Sequence, residues 1–217
     1  MAGRLAQTTG RPPKAPSSSK DAALLQAIES QHQAAQQRFA LKNYEEAAAL
    51  WRDALMKARG IKDTATKQAV QPVLAGSLGC ALDLNGQSKE AVEWHGKAFK
   101  THGSLGDTMA QCGDICNAGN AYLNAAASGD ANAVASAEEC FDLGRVIALE
   151  HDHRDAAATA QQGLANCQAM RRNLGMPVEE GVKAPTLSSV AEEPAEKACP
   201  WNVKKTLSSA GAAALRS

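Results

Sequence analysis

The sequence predicts an all-α fold of about seven helices, arranged as an α-solenoid of antiparallel helix pairs between two terminal tails. Three observations support this prediction. Alanine is the commonest of the 217 residues, apolar residues recur every three or four positions, and three stretches of the chain align with one another. Alanine favours helices and is poor in strands, which argues against an all-β fold.

Composition divides the chain into three segments. Residues 1–20 are rich in Pro, Ser, Thr and Gly and carry basic residues without an acidic one, so a basic flexible arm is expected there. Residues 177–217 form a Pro- and Glu-containing tail. Residues 21–176 contain only one proline and form the predicted helical domain.

The first four predicted helices span residues 21–41, 44–59, 66–85 and 88–101. Each has apolar residues on one face and a turn signal at its end, such as Lys42-Asn43 or Gly60. Pro72 is expected in the first turns of the third helix, or it kinks that helix. The apolar faces include Leu24, Ile28 and Phe39, then Trp51 and Leu55, then Leu74, Leu78 and Leu82, then Val92, Trp94 and Phe99.

The last three predicted helices span residues 107–127, 131–150 and 154–172. Each has apolar or small residues three or four positions apart on one face, and Gly129 follows the first of the three. These faces include Cys112, Cys116, Gly119 and Tyr122, then Val134, Ala137 and Phe141, then Ala160, Gly163 and Cys167.

An internal repeat relates residues 35–55, 79–99 and 144–164. Each copy starts with a small residue, has a turn about eight residues later, and places an alanine twelve residues after its start. Small residues at fixed places on two successive helices let the backbones approach closely. The repeat therefore predicts stacked helix pairs, with a plain antiparallel bundle as the alternative. The repeated alanines are Ala47, Ala91 and Ala156.

These positions resemble the tetratricopeptide repeat (TPR) family over about residues 30–170. The first copy matches with Ala35, Ala47, Trp51 and Ala54, and the second with Gly79, Ala91 and Ala98. The long spacing is similar to that of TPRs with extended helices, as in kinesin light chains. A weaker match, from Gly119 through Phe141 to Gly144, shares a helix with the third copy, so two registers stay open after residue 105.

The resemblance implies a groove that binds a peptide. Similar asparagine rows hold peptides in several TPR grooves, and an amide can both donate and accept a hydrogen bond. The alternative is that these amides are simply solvated. The predicted peptide-binding residues are Gln33, Gln36, Asp83, Asn117, Asn120 and Asn124.

The C-terminal tail contains isolated apolar residues in a polar segment. Trp201, Val203 and Leu207 would gain free energy by docking onto a partner or back onto the solenoid. An undocked tail is the alternative.

The first functional hypothesis is a non-catalytic adaptor or scaffold that binds a protein partner through its groove and tails, within a larger assembly such as a ciliary or transport complex. Zero net charge gives no general attraction to nucleic acid or lipid, and no apolar run is long enough to span a membrane. We expect no cofactor, metal or small-molecule substrate, and a cytoplasmic location, with association to the cytoskeleton or a cilium.

The alternative hypothesis is a thiol- or histidine-based redox or metal-binding protein on a helical bundle. Cys112 and Cys116 lie four residues apart, and His151 and His153 lie with Asp152 in one turn. Core packing of the cysteines and solvation of the turn explain both groups without such a function. The chain has no phosphate-binding glycine motif and no recognisable nucleophile–base set, so we expect it not to be an enzyme.

Overall fold

The computed structural model describes residues 19–178, and within them the regular elements are seven α-helices. The predicted all-α class and helix number are confirmed. Trp201, Val203 and Leu207 lie outside the described residues, as do residues 1–18 of the arm. No helix between residues 19 and 178 combines the length and apolarity needed to cross a membrane. The helices are α1 (Ser19–Ala40), α2 (Tyr44–Arg59), α3 (Thr64–Leu84), α4 (Ser88–Ser104), α5 (Thr108–Ala127), α6 (Ala133–Glu150) and α7 (Arg154–Asn173).

Six of the seven helices end in the same kind of turn. At the end of α3, the Gln87 N–H donates to the Leu82 carbonyl at 2.8 Å, and the Gly86 N–H donates to the Asp83 carbonyl at 2.9 Å. This is the Schellman arrangement, which requires a residue with positive φ just after the helix. Each such turn reverses the chain in a few residues, so the next helix runs back along the previous one. The positive-φ residues are Lys42, Gly86, Gly106, Gly129, Asp152 and Gly175.

The connection between α2 and α3 is different, because α2 ends at Gly60 without a positive φ. Asp21, in the first turn of α1, holds this connection. Its carboxylate accepts hydrogen bonds from the backbone N–H groups of Lys62 and Asp63, both at 3.1 Å. The start of the chain's first helix is thereby tied to the start of its second helix pair.

The helices form two layers. Each helix packs against the next, and contacts between non-consecutive helices join α3 to α5 and α5 to α7. We call α1, α3, α5 and α7 the inner layer and α2, α4 and α6 the outer layer, because these contacts between non-consecutive helices join members of the first group. Helix α6 packs against both α5 and α7, so the pairings implied by both registers occur.

The small residues of the repeat lie at the helix contacts. Ala47 and Ala91 are fully buried, as the repeat predicts, and Gly79 lies against the imidazole ring of His95. Ala156 is only half-buried, so the third copy of the repeat packs less closely at this position. Close approach of the helix backbones depends on these residues having little or no side chain.

The second half of the stack is centred on Phe141 of α6. Its ring is buried and touches the backbones of two glycines, Gly119 in α5 and Gly163 in α7. Gly144, one turn further along α6, lies against the Cys116 side chain. One aromatic ring thus joins three consecutive helices.

Pro72 lies in the interior of α3, where its ring is buried. It is the ninth residue of the helix, so the first of the two expectations, a place in the first turns, is wrong, and the second, a kink in the helix, stays a prediction. The helix begins at Thr64, two residues earlier than predicted, because the Asp63 side chain caps it by accepting a hydrogen bond from the Thr66 N–H at 2.8 Å. Because proline has no backbone N–H, the helical hydrogen bond from residue 72 to the Gln68 carbonyl is missing.

Candidate functional site

Within the helices, side-chain amides are confined to α1, α3, α5 and α7, while the turns before α2, α4 and α6 also contain Asn43, Gln87 and Asn132. Helices α2, α4 and α6 contain no asparagine or glutamine, whereas each inner helix carries from two to five. The helical pattern of apolar residues does not require this difference, since amides and charged groups are equally suited to solvent. The inner layer therefore presents a chemically distinct surface. Its amides are Gln26, Gln31, Gln33, Gln36 and Gln37 in α1, Gln68 and Gln71 in α3, Gln111, Asn117, Asn120 and Asn124 in α5, and Gln161, Gln162, Asn166, Gln168 and Asn173 in α7.

The middle of the inner layer is also poor in charge. Helices α3 and α5 contain only three charged residues: Lys67, Asp83 and Asp114. Asp114 is buried and faces α4, while Lys67 lies near the start of α3. The outer helices, by contrast, carry several charges each. Hydrogen bonding rather than net charge dominates the surface between α3 and α5.

The structure brings three of the predicted peptide-binding residues, Asp83, Asn117 and Asn124, to the contact between α3 and α5. The Asn124 amide donates to the Asp83 carboxylate at 2.8 Å, and the Asn117 amide lies 3.9 Å from the Cys80 sulfur. Asn120 lies between the two asparagines on α5 and is half-buried. We call Asp83, Asn117, Asn120 and Asn124 the inner polar row.

Gln33 and Gln36 lie on α1, which packs against α2. Gln33 is exposed and Gln36 is half-buried. Both therefore lie on a different helix from the members of the inner polar row. Ser77, on α3, is buried and donates its hydroxyl proton to the Val73 carbonyl at 2.9 Å.

Asp83 is the charged member of the inner polar row. Its second carboxylate oxygen accepts a hydrogen bond from the Ser88 hydroxyl at 2.9 Å, at the first turn of α4. Burial raises the pKa of Asp83, while the hydrogen bonds from Ser88 and Asn124 act in the opposite direction. The partners of this carboxylate are therefore neutral side chains, and its charge is only partly compensated.

The sequence did not predict one buried pair, an acid and a histidine in contact. His102 Nδ1 and Asp114 Oδ2 lie 2.6 Å apart between α4 and α5, because the turn at Gly106 folds the two helices together. Burial raises the pKa of Asp114 to about 6, opposed by its hydrogen bond with His102. No hydroxyl or thiol among residues 19–178 hydrogen-bonds to His102. The sequence signal was a single polar residue, Asp114, within a run of small and apolar residues.

Two further histidines belong to the core. The Trp51 indole N–H donates to His32 Nδ1 at 2.8 Å, and His95 fills the space above Gly79. Burial lowers the pKa of both histidines to about 4, so both are neutral at pH 7. These residues hold helix pairs together and face no open surface.

The thiols behind the alternative hypothesis are buried in the second half of the stack. Burial raises the pKa of Cys116 and of Cys167 to about 12, and it raises the pKa of Cys112 as well. A protonated thiol is a poor nucleophile and a poor metal ligand. Residues 19–178 hold no group of three or more His, Cys, Asp or Glu side chains placed to bind a metal ion.

The turn between α6 and α7 also lacks the geometry of a metal site. The rings of His151 and His153 are stacked with their centroids 6.0 Å apart, and His153 Nε2 hydrogen-bonds to the Thr108 hydroxyl at 2.8 Å. Asp152 pairs with Arg154 at 3.1 Å. The His153 side chain ties the turn to the start of α5.

The chain matches no protein-family model and no curated protein.

Proposed function

We propose that this protein is a non-catalytic adaptor whose inner layer binds an extended peptide from a protein partner, on a scaffold of the TPR type. The observation that carries the proposal is the confinement of side-chain amides to α1, α3, α5 and α7, with none in α2, α4 or α6. A peptide backbone offers one donor and one acceptor per residue, and an amide side chain can satisfy either. Such contacts hold a peptide with little dependence on its side chains.

The dimensions of the inner polar row suit a short stretch of extended chain. Asn117 and Asn124 are seven residues apart, which corresponds to about 10 Å along a helix. An extended peptide advances about 3.3 Å per residue, so the row spans about three peptide residues. Gln33 and Gln36 on α1 add contacts beyond this stretch.

Partner and location follow from the resemblance rather than from the described contacts. The proposed partner is another protein within a larger assembly, such as a ciliary, axonemal or transport complex, in the cytoplasm or on the cytoskeleton. Residues of the two tails add contacts to those of the groove, so that several modest interactions act on one chain. No enzymatic step, cofactor, nucleic acid or membrane is part of this proposal.

Selection from a phage-displayed library of random linear peptides tests the proposal. We expect the full chain to enrich peptides that bind the inner layer, and we expect Asn117→Ala combined with Asn120→Ala to weaken binding of a selected synthetic peptide by about tenfold or more. Lys100→Ala, on the exposed face of α4, is the matched control and leaves binding unchanged. Circular dichroism checks that each variant is folded.

The proposal fails if no peptide is enriched, or if the double variant binds as well as the wild type. The thiol alternative is tested by Cys112→Ala combined with Cys116→Ala. Unchanged peptide affinity in that variant supports the adaptor, whereas zinc or iron found in the purified wild type by elemental analysis supports the alternative.

A further inference from the structure

The half-buried carboxylates of this protein differ in how their charge is compensated. In the outer layer, Glu90 binds the Arg52 guanidinium at 2.7 Å, and Glu138 binds the Arg171 guanidinium at 2.5 Å. Asp83, in the inner layer, has only the neutral donors Ser88 and Asn124. No lysine, arginine or histidine within residues 19–178 forms an ion pair with it.

Two hydrogen bonds hold the Asp83 carboxylate in place. The Ser88 hydroxyl, in the first turn of α4, donates one of them and opposes the burial that raises the pKa of Asp83. Asn124 fixes its second oxygen from α5. Lys89, which follows Ser88, points to Asp130 at 3.9 Å and leaves Asp83 uncompensated. A carboxylate oxygen can accept more than one hydrogen bond, so each oxygen retains capacity for a further donor.

We propose that Asp83 binds a lysine or arginine side chain of the peptide held by the inner polar row. This inference rests on the proposed function and specifies its ligand as an extended peptide with one basic residue at a fixed position. The row contributes hydrogen bonds to the peptide backbone, and Asp83 contributes charge complementarity at the end of the row marked by Asn124. Within the middle inner helices, α3 and α5, no second negative charge competes for that basic side chain, because Asp114 is buried against His102.

A basic side chain bound at Asp83 would compensate the charge of its carboxylate, and the carboxylate would compensate the charge of the basic side chain. A charge-assisted hydrogen bond between a cation and a carboxylate is about twice as strong as one between neutral groups. Partial burial of Asp83 reduces the screening of such a pair by solvent. A neutral peptide bound in the same place would leave the carboxylate less hydrated than in the free protein and without a cation.

The test uses the full chain, a phage-displayed library of random linear peptides, and the variants Asp83→Asn and Glu93→Gln. Asp83→Asn removes the charge and keeps an oxygen acceptor for Ser88. Glu93→Gln removes the same charge from an exposed position on α4 and serves as the matched control. We expect the wild type and Glu93→Gln to enrich peptides with Lys or Arg at one position, and Asp83→Asn to lose the preference at that position alone.

A second measurement does not depend on the folding of a variant. Fluorescence anisotropy of a selected peptide and of its Lys→Gln analogue gives two affinities for the wild-type chain. We expect the analogue to bind about tenfold more weakly, and the difference to shrink as salt is added. Against Asp83→Asn, the two peptides are expected to bind equally.

The outcomes separate this inference from the proposed function. Enriched peptides without a fixed basic residue, or an unchanged basic preference in Asp83→Asn, overturn the role of Asp83 and leave the peptide-binding face intact. Failure of every form of the protein to enrich any peptide overturns the proposed function itself.

Discussion

Replacing Gly163 by alanine tests whether helix packing depends on glycines that leave room for the Phe141 ring. A Cβ at residue 163 would overlap the Cγ, Cδ1 and Cε1 atoms of Phe141. The ring has no free space in which to retreat, because it is buried and its Cε2 and Cζ atoms already lie close to Gly119. Gly163→Ala must therefore separate α6 from α7 or force Phe141 out of its rotamer.

Two opposing effects determine the magnitude. Alanine is better than glycine in a helix interior by about 1 kcal/mol. Overpacking of a closely packed site costs about 1–3 kcal/mol. Since the added atom would overlap three ring atoms rather than touch one flexible chain end, we place the overlap at the upper part of that range. The expected net loss in the free energy of unfolding is about 1–2 kcal/mol.

Urea denaturation followed by far-UV circular dichroism measures this loss. Gly96→Ala is the matched control, since Gly96 lies inside α4 and a Cβ there would meet no atom within 4 Å. It is expected to stabilise the protein by about 0.5–1 kcal/mol. In a Phe141→Leu background, which removes the ring, Gly163→Ala should cost less than about 0.5 kcal/mol, so the two changes are coupled. Stabilisation by Gly163→Ala in the wild type, equal to that by Gly96→Ala, would refute the packing argument.

Three further predictions follow from the described contacts. His32 and His95 have a pKa of about 4 when folded and about 6.5 when unfolded, so the unfolded chain binds more protons between these values and stability falls as pH decreases from 6.5 to 4. Denaturation at a series of pH values measures the fall, and His95→Gln should reduce it. Lys42→Gly and Asp152→Gly remove side chains from left-handed positions and should each raise the free energy of unfolding by about 0.5–1 kcal/mol, whereas an unchanged urea midpoint would contradict this. Cys116 should react with iodoacetamide far more slowly in the folded chain than in urea, as peptide mass spectrometry can show, and equal rates would contradict its burial.

The sequence predicted the helices well because the local signals agree with the packing. Tyr44–Arg59 has the predicted bounds, and glycine or a turn residue follows each helix that the periodicity defined. Ala47 and Ala91 are buried as the repeat requires. These features depend on residues close together in the chain, which is why a single sequence reveals them. Pro72 was misplaced because the N-terminal boundary of α3 is set by the Asp63 cap.

The site was predicted only in part. Asp83 and Asn124 were each identified, but their hydrogen bond joins residues 41 positions apart. The bond between His32 and Trp51 joins residues 19 positions apart, and Phe141 contacts Gly119 and Gly163, which lie far from it in the chain. Such pairings depend on how helices stack, and the repeat left two registers open after residue 105. The confinement of amides to alternate helices depends on the observed start of α6, because the predicted helix over residues 131–150 contains Asn132.

The succession of short reversing turns has a consequence for how the chain folds. Most contacts between helices join neighbours along the chain, so few segments distant in sequence need to meet before a stable unit can form. Proteins with such low contact order fold within microseconds to milliseconds, and a stack of this type can begin to form at any adjacent pair. Stopped-flow refolding of this chain is therefore expected to be complete within milliseconds.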